Sequence, residues 1–243
     1  HGVSLRERMV ASSSDLAPLF AGWPAPLVNR VQNTCLFRKA LEWIAGFDSR
    51  RKLPEYTREP FSHWLAKRSP GPSKSKKKVV LFRDTYLDYY APSIGISAVE
   101  LLESCGYEVI PARAGCCQRP RISHGFLREA KRRGEKTLQA LDAYIQQGLP
   151  VVVCEPSCAS ALTDDLPDLM DDEDLARRIM DNVTMIDVFL HREILAGNLS
   201  CGFTSPYREV FIHGHCHQEA LYGIEAMQSL LARVPGMAVS VID

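Results

Sequence analysis

Short apolar runs alternate with segments of helical periodicity from residue 79 to the end of the sequence. Short runs of this kind are typical of strands that are buried on both faces of a sheet. Helical periods fill the intervals, notably at 94–105 and 125–147, and a glycine follows each of these two segments. The alternation predicts an α/β fold with a mostly parallel sheet and flanking helices. The predicted strands are VVLF (79–82), 107–111, VVVC (151–154), the start of EVFIHGHCH (209–217) and MAVSVID (237–243).

Two stretches share the order strand, polar turn, helix, breaker and strand. One begins VVLFRDTYLDYY and the other EVFIHGHCHQEA, and they align Thr85 with Cys216. In the first copy the pair Cys116–Cys117 follows the second strand, whereas the second copy stops at Asp243 before that place. We therefore expect two βαβ-type repeats, the second one truncated, and a further cysteine pair beyond Asp243.

The sequence before the first predicted strand comprises a helical segment and a linker. Residues 1–68 are predicted to form a helical arm, with an amphipathic helix over 27–47 that stops at Gly46. The segment SPGPSKSKKK (69–78) has the composition of a linker, which makes 79–243 the α/β domain. Within that domain, two helices are predicted to fill 158–196.

Composition excludes several classes of protein. The formal net charge is zero over 243 residues, which gives no electrostatic reason to expect a nucleic-acid partner. No apolar run reaches the length of a membrane span, and the first residues lack the apolar core of a signal peptide. A chain of this size needs no disulfide staples, so its eight cysteines are predicted to be reduced thiols. We expect a cytoplasmic protein, either soluble or peripheral to the inner face of the membrane.

Several of the cysteines follow predicted strands. Loops at the carboxyl ends of parallel strands converge on one crevice, so these cysteines are expected to meet there. Pro156 predicts a helix start whose dipole would lower the pKa of one of them, Cys158. Arg119 is expected to add positive charge beside the thiols. The cysteines at such strand ends are Cys116, Cys117, Cys158 and Cys216, with His213, His215, His217, Glu155 and Arg119 close to them in the sequence, so a thiolate site is expected there.

Other interpretations of these residues stay open. Three cysteines and a histidine form an accepted zinc set, although the spacings match no common zinc module. A Cys216–histidine nucleophile is a second alternative. The third is that the cysteines are small buried hydrophobes, which we expect for Cys35, Cys105 and Cys201 and favour for Cys154 at the end of its strand.

Four motifs together carry a family resemblance: LFRDTYLDYYAPSIG (81–95), AGCCQRPRISHG (114–125), EPSCASALTDDLPDL (155–169) and HGHCHQEAL (213–221). The chain resembles the cysteine-rich CCG domain of iron–sulfur oxidoreductases. The greatest resemblance is to the C-terminal part of fused FAD-linked D-2-hydroxyacid dehydrogenases, the D-lactate, D-2-hydroxyglutarate and glycolate types. It covers most of 78–243 and, more loosely, the helical arm.

The resemblance implies an electron relay, in which Cys116, Cys117, Cys158 and Cys216 are the metal ligands of an iron–sulfur cluster of the 4Fe-4S type or serve as redox thiols. It implies FAD in an upstream domain, with FAD-binding and ferredoxin-like domains of the same polypeptide as partners and an acceptor that the sequence does not name. Thr85, Glu155 and Gln118 depart from the pattern, since the family has cysteine at the first two positions and glycine at the third. The alternative is a docking or zinc-binding domain that has lost its cluster. In either case the chain alone is expected not to be catalytic.

Overall fold

The computed structural model describes residues 2–68, 77–199 and 202–242. Cys201, Asp243 and all but the last two residues of the predicted linker lie outside these ranges. Helices occupy the arm, as predicted: α1 (Leu5–Ala11), α2 (Ser13–Phe20), α3 (Ala25–Gln32), α4 (Cys35–Ala45) and α5 (Phe61–Lys67).

The stretch predicted as one helix over 27–47 is two helices, α3 and α4. Thr34 is extended and caps α4, because its hydroxyl accepts a hydrogen bond from the Phe37 N–H at 3.3 Å. Gly46 ends α4 in the left-handed conformation, with φ of 76°, which confirms the predicted stop.

The central sheet has four parallel strands in the spatial order β2-β1-β3-β4. This confirms the predicted fold class. The sequence predicted the first three strands but assigned the fourth to a helix. A strand of three residues between two helices carries too little period to be recognised. The strands are β1 (Lys78–Leu81), β2 (Glu108–Pro111), β3 (Val151–Val153) and β4 (Val183–Met185).

Helices cover both faces of this sheet. They are α6 (Thr85–Tyr89), α7 (Pro92–Ser104), α8 (Arg119–Ser123), α9 (Leu127–Ile145), α10 (Pro156–Ser160), α11 (Leu166–Leu169), α12 (Glu173–Asn182) and α13 (Ile186–Leu195), with a π-helical turn at Ala161–Asp165. Val80 and Val151 face one core with Leu138 of α9, whereas Val79 and Val152 face the other. Because side chains alternate along each strand, one buried sheet supplies both cores. None of the helices in the described ranges is long and apolar enough to cross a membrane.

The second repeat forms its own two-stranded parallel sheet. Strand β5 (Glu209–Ile212) pairs with β6 (Ala238–Val241) in the register Glu209↔Ala238 to Ile212↔Val241. The helix expected between the two strands of this repeat is two helices, α14 (Cys216–Leu221) and α15 (Glu225–Leu231). In the described part of the chain, these two strands do not join the central sheet. The loop after β5 therefore belongs to a different sheet edge from the loops after β1, β2 and β3.

Candidate functional site

Four of the eight cysteines line one cavity at the carboxyl edge of the central sheet. The cavity has a volume of about 430 Å³. The loops that follow β1, β2 and β3 supply its walls, since the carboxyl ends of parallel strands meet at one edge. Its lining includes Asp84, Thr85, Cys116, Cys117, Arg119, Cys154, Glu155, Ser157 and Cys158.

The sulfurs of Cys117 and Cys158 lie 2.8 Å apart. Both side chains are buried and pack in the core that contains Val80. Cys116 is half-buried beside them, and the hydroxyl of Thr85 hydrogen-bonds to its sulfur. The structure thus brings together three of the four cysteines that the sequence predicted as ligands.

The backbone at the cysteine pair is unusual, as two inward-facing neighbours require. Gln118 has φ of 65°, and it is the one non-glycine residue in the described ranges with a positive φ. Its amide Nε2 donates to the Cys116 carbonyl at 2.8 Å. The Thr137 hydroxyl donates to the same carbonyl at 3.1 Å. These bonds fix a loop conformation that would be easier for glycine, which the related family carries at this position.

Arg119 links the Cys116–Cys117 loop to the segment that carries Cys158. Its guanidinium donates to the Ser157 carbonyl at 3.1 Å, to the Ser160 hydroxyl at 2.8 Å and to the Asp165 carboxylate at 2.5 Å. The charge of Arg119 is therefore paired with Asp165. These three contacts of the guanidinium hold two loops together, and none of the three is to a sulfur.

Glu155 caps helix α10. Its Oε2 accepts hydrogen bonds from the Cys158 N–H at 2.7 Å and from the Ser157 hydroxyl at 2.5 Å. The prediction that the helix start lowers the pKa of Cys158 is wrong. The contact with Cys117 lowers that pKa, but burial and the nearby carboxyls of Asp84 and Glu155 raise it more, to about 12.

The other thiols of the cavity also hold their protons. The pKa of Cys116 is raised by its hydrogen bond with Cys117 and by burial. The contact of Cys117 with Cys116 lowers the pKa of Cys117, but its contact with Cys158 and its burial raise that pKa well above the usual value. Burial raises the pKa of Cys154 to about 12. A ligand of this site must displace the thiol protons, as metal ions do when they bind cysteine.

Cys154 and Asp84 line the cavity and were not predicted as site residues. Cys154 was interpreted as a buried hydrophobe, and its position directly after β3 was the available signal. Asp84 is 1% exposed and caps α6 through Oδ1, which accepts from the Leu87 N–H at 2.8 Å. Its Oδ2 is buried without a hydrogen-bond partner. Burial raises the pKa of Asp84 to about 6.

Cys216 does not line this cavity. It is exposed at the start of α14, and it forms a second group with His215 and His217, in which one ligand atom of each residue lies within 4.8 Å of the others. The third predicted histidine, His213, contacts the Ile242 carbonyl through Nδ1 at 3.4 Å. Helix α14 packs against α10, so Cys216 and Cys158 lie on neighbouring helices.

The donor set of the cavity fits an iron–sulfur cluster. Such clusters are held by cysteine thiolates, in sets of four for the common types. Cys116, Cys117, Cys154 and Cys158 all line one cavity. Thiolates are soft ligands, and the nearby carboxyl of Asp84 is the one lining acid with an unpartnered buried oxygen.

The sequence is similar to proteins of redox metabolism. It is 26% identical over 99% of its length to one of the subunits of the anaerobic glycerol-3-phosphate dehydrogenase of Escherichia coli K12. It is 29% identical over 67% of its length to lactate utilization protein A of Macrococcus caseolyticus, and 28% identical over 66% to that of Bacillus subtilis. No protein-family model and no solved structure matches the chain. The chain spans 60% of the E. coli protein and 65% of the Macrococcus protein.

Proposed function

We propose that the cavity holds an iron–sulfur cluster and that the chain relays electrons as part of a dehydrogenase. The observation that carries this proposal is the convergence of Cys116, Cys117 and Cys158 at one sheet edge from two separate loops. Similarity to part of a dehydrogenase over nearly the whole chain supports the redox role. The bound cluster would supply one-electron transfer, and the protein would hold it through cysteine thiolates that line the cavity.

The residues around the cavity have distinct tasks in this proposal. Arg119 joins the Cys116–Cys117 loop to α10, and Glu155 fixes the start of α10, so Cys158 stays opposite Cys117. Gln118 and Thr137 hold the Cys116 carbonyl and with it the turn of the cysteine pair. These contacts preorganise the ligands, which lowers the entropic cost of loading the cluster.

The substrate of the parent dehydrogenase is proposed as a D-2-hydroxyacid, such as D-lactate, D-2-hydroxyglutarate or glycolate. FAD in an upstream domain would oxidise it, and ferredoxin-like and cysteine-rich domains would carry the electrons onward. The motifs of the chain support this assignment, and so does the similarity to lactate utilization proteins. The fused arrangement of these domains is part of the proposal.

The test is anaerobic reconstitution of the protein with ferrous iron and sulfide, followed by desalting. We expect stoichiometric iron and acid-labile sulfide, with a visible absorption band that dithionite bleaches. Cys158→Ser should lose this signal, whereas Cys105→Ser should keep it, because Cys105 does not line the cavity. Wild-type protein that retains no more iron than Cys158→Ser would overturn the proposal. Material purified in air is expected to lack a full cluster.

Zinc binding without redox chemistry, in a docking domain that has lost its cluster, is a second candidate function. The group formed by His215, Cys216 and His217 favours it, since imidazole and thiolate are the ligands of zinc. Elemental analysis distinguishes the two functions. Zinc that copurifies and disappears in His215→Ala, together with no retention of iron, would support this second function. His213→Ala is the matched control, because His213 lies outside the group.

A further inference from the structure

We propose that Cys154 is the fourth thiolate of the site in the cavity. This inference rests on the proposed function, because it concerns the ligands of the same cluster. The resemblance to a known family points to Cys116, Cys117 and Cys158 and leaves the remaining ligand positions occupied by Thr85 and Glu155. The structure offers a different residue at the same cavity.

Cys154 reaches the cavity from the opposite side of the sheet. It directly follows β3, and it packs with the core that contains Val79 and Val152. Cys116, Cys117 and Cys158 pack with the other core, which contains Val80. The four cysteines thus line one space at the sheet edge, Cys154 from the side of the Val79 core and the other three from the side of the Val80 core. Ligands on opposing walls can surround a cluster, whereas three on one wall leave a side of it open.

Glu155 is unsuited to replace the missing cysteine. Its Oε2 already accepts from the Cys158 N–H and from the Ser157 hydroxyl, and it caps α10 through these bonds. If this carboxylate turned toward a metal, the start of the helix that carries Cys158 would lose its cap. Cys154, one position earlier in the chain, has no such structural task among its described contacts.

Thr85 is equally unsuited. Its hydroxyl is engaged by the sulfur of Cys116, and a neutral hydroxyl is a poor ligand for iron in place of a thiolate. Cys216 was the other predicted ligand. It is exposed, its sulfur lies 4.0 Å from Nδ1 of its neighbour His215, and it is absent from the cavity lining. Among the cysteines of the described ranges, Cys154 is therefore the one that completes a set of four.

When Cys154 binds iron, its sulfur loses a proton and forms a bond to the metal. The thiol proton leaves to solvent, the sulfur lone pair binds iron, and the oxidation state of the sulfur does not change. Iron and sulfide, supplied in solution, are the co-reactants, and ferric iron added beside the ferrous iron supplies the oxidising equivalents of the mixed-valent cluster. Because the sulfur stays bound, its replacement by oxygen should alter the magnetic spectrum of the cluster as well as its retention.

The experiment compares reconstituted full chains of the wild type, Cys154→Ser, Cys154→Ala, Cys216→Ser and Cys105→Ser. Iron and sulfide are measured per chain, electron paramagnetic resonance is recorded after reduction, and circular dichroism verifies folding. We expect both Cys154 variants to lose iron by about tenfold or more, or to keep it with a shifted resonance spectrum. Cys216→Ser and Cys105→Ser should match the wild type.

The outcomes separate the two proposals. Cys154 variants that load iron as the wild type does, with an unchanged spectrum, would overturn this inference and leave the proposed function intact. Loss in Cys216→Ser with retention in the Cys154 variants would assign the fourth position to Cys216 and would also overturn it. Failure of the folded wild type to load iron would overturn the proposed function itself. Loss in Cys154→Ala together with a shifted spectrum in Cys154→Ser would support the inference.

Discussion

The sulfurs of Cys117 and Cys158 lie 2.8 Å apart although 41 positions separate them in the chain. Cys117 lies in the loop after β2, and Cys158 lies on α10 after β3. These strands flank β1 in the sheet, so both loops approach the space beyond the end of β1. Burial raises the pKa of both residues, which leaves them as neutral thiols that face each other.

This contact predicts a specific oxidation product of the metal-free protein. Treatment with diamide should link Cys117 to Cys158: each thiol gives up a proton and an electron, and the diamide is reduced to the hydrazine. Mass spectrometry of digested, alkylated protein should detect the linked peptide as the main product. Prior loading with iron should protect it. A main product that links Cys116 to either residue would contradict the prediction.

Arg121 of α8 connects the helical arm to the α/β domain, and its substitution tests how much this connection stabilises the protein. Its side chain is 1% exposed, and it bonds to Asp15 of α2 at 2.5 Å and to Glu129 of α9 at 3.3 Å. Arg121→Met should lower the free energy of unfolding by about 2 kcal/mol, because it leaves the buried Gln118 Oε1 without the hydrogen bond from Arg121 Nη1 and removes ion pairs to two partly exposed carboxylates. Urea titration measures this.

A matched control for Arg121 uses an exposed ion pair. Lys131 pairs with Asp171, whose side chain is 91% exposed, so Lys131→Met should cost less than about 0.5 kcal/mol. Equal destabilisation by the two variants would mean that the buried arginine does not fasten the arm.

The sequence predicted the central fold because its long-range order is encoded locally. Apolar runs such as 79–82 and 151–153 predict the strands. Gly106 follows helix α7, which comes after β1, and Gly148 follows helix α9, which comes before β3. Strand β4 escaped prediction because three residues do not establish a period. The separate pairing of β5 with β6 was not predicted, since strand signals do not specify which strands become neighbours.

The site was predicted in part for the same reason. Cys116, Cys117 and Cys158 follow strands of one sheet, and the topological rule for carboxyl ends brings them together. Cys216 also follows a strand, but that strand belongs to the other sheet. Cys154 was interpreted as a buried hydrophobe because its neighbours in the chain are apolar. It reaches the cavity because β3 ends at Val153, and the sequence does not fix the length of a strand to one residue. Asp84 could not be selected, because burial and an unpartnered oxygen are properties of the packed structure.

The ion pair of Asp142 should make the free energy of unfolding fall at acid pH. Its carboxylate on α9 accepts from Arg178 of α12 at 2.8 and 2.9 Å and from Gln146 at 2.6 Å. The Arg178 bonds are the largest cause of a native pKa below the usual 3.8. Since the unfolded chain then binds the proton more readily, this stabilisation is present above pH of about 4 and is lost as pH falls through the lowered pKa.

Substitution of Asp142 or Arg178 tests whether their ion pair loses its stabilising effect as pH falls. Asp142→Asn should cost about 1 kcal/mol at neutral pH, because Arg178 is partly exposed. The difference from the wild type should shrink as pH falls through the lowered native pKa of Asp142, where the wild-type carboxylate also takes up a proton. Arg178→Met should show the same convergence in urea titrations at several pH values. A difference from wild type that is independent of pH would contradict the assignment.

Gln118 offers a test of the strained turn that holds the cysteine pair. It has φ of 65°, and its side chain is engaged at both ends, by the Cys116 carbonyl at 2.8 Å and by Arg121 Nη1 at 3.0 Å. Gln118→Ala should lose both hydrogen bonds and keep the strain. Gln118→Gly should lose the same bonds but relieve the strain, so it should be more stable than the alanine variant by about 1 kcal/mol.

The control for this comparison is Gln139, which is exposed in the interior of α9. There the order should reverse, with glycine less stable than alanine by about 1 kcal/mol, because a helix interior disfavours glycine. Urea unfolding of the four variants measures both differences. An alanine variant at 118 that equals or exceeds its glycine counterpart would mean that the left-handed turn carries no strain. The bonds of Gln118 would then be the only reason for its presence between the cysteine pair and α8.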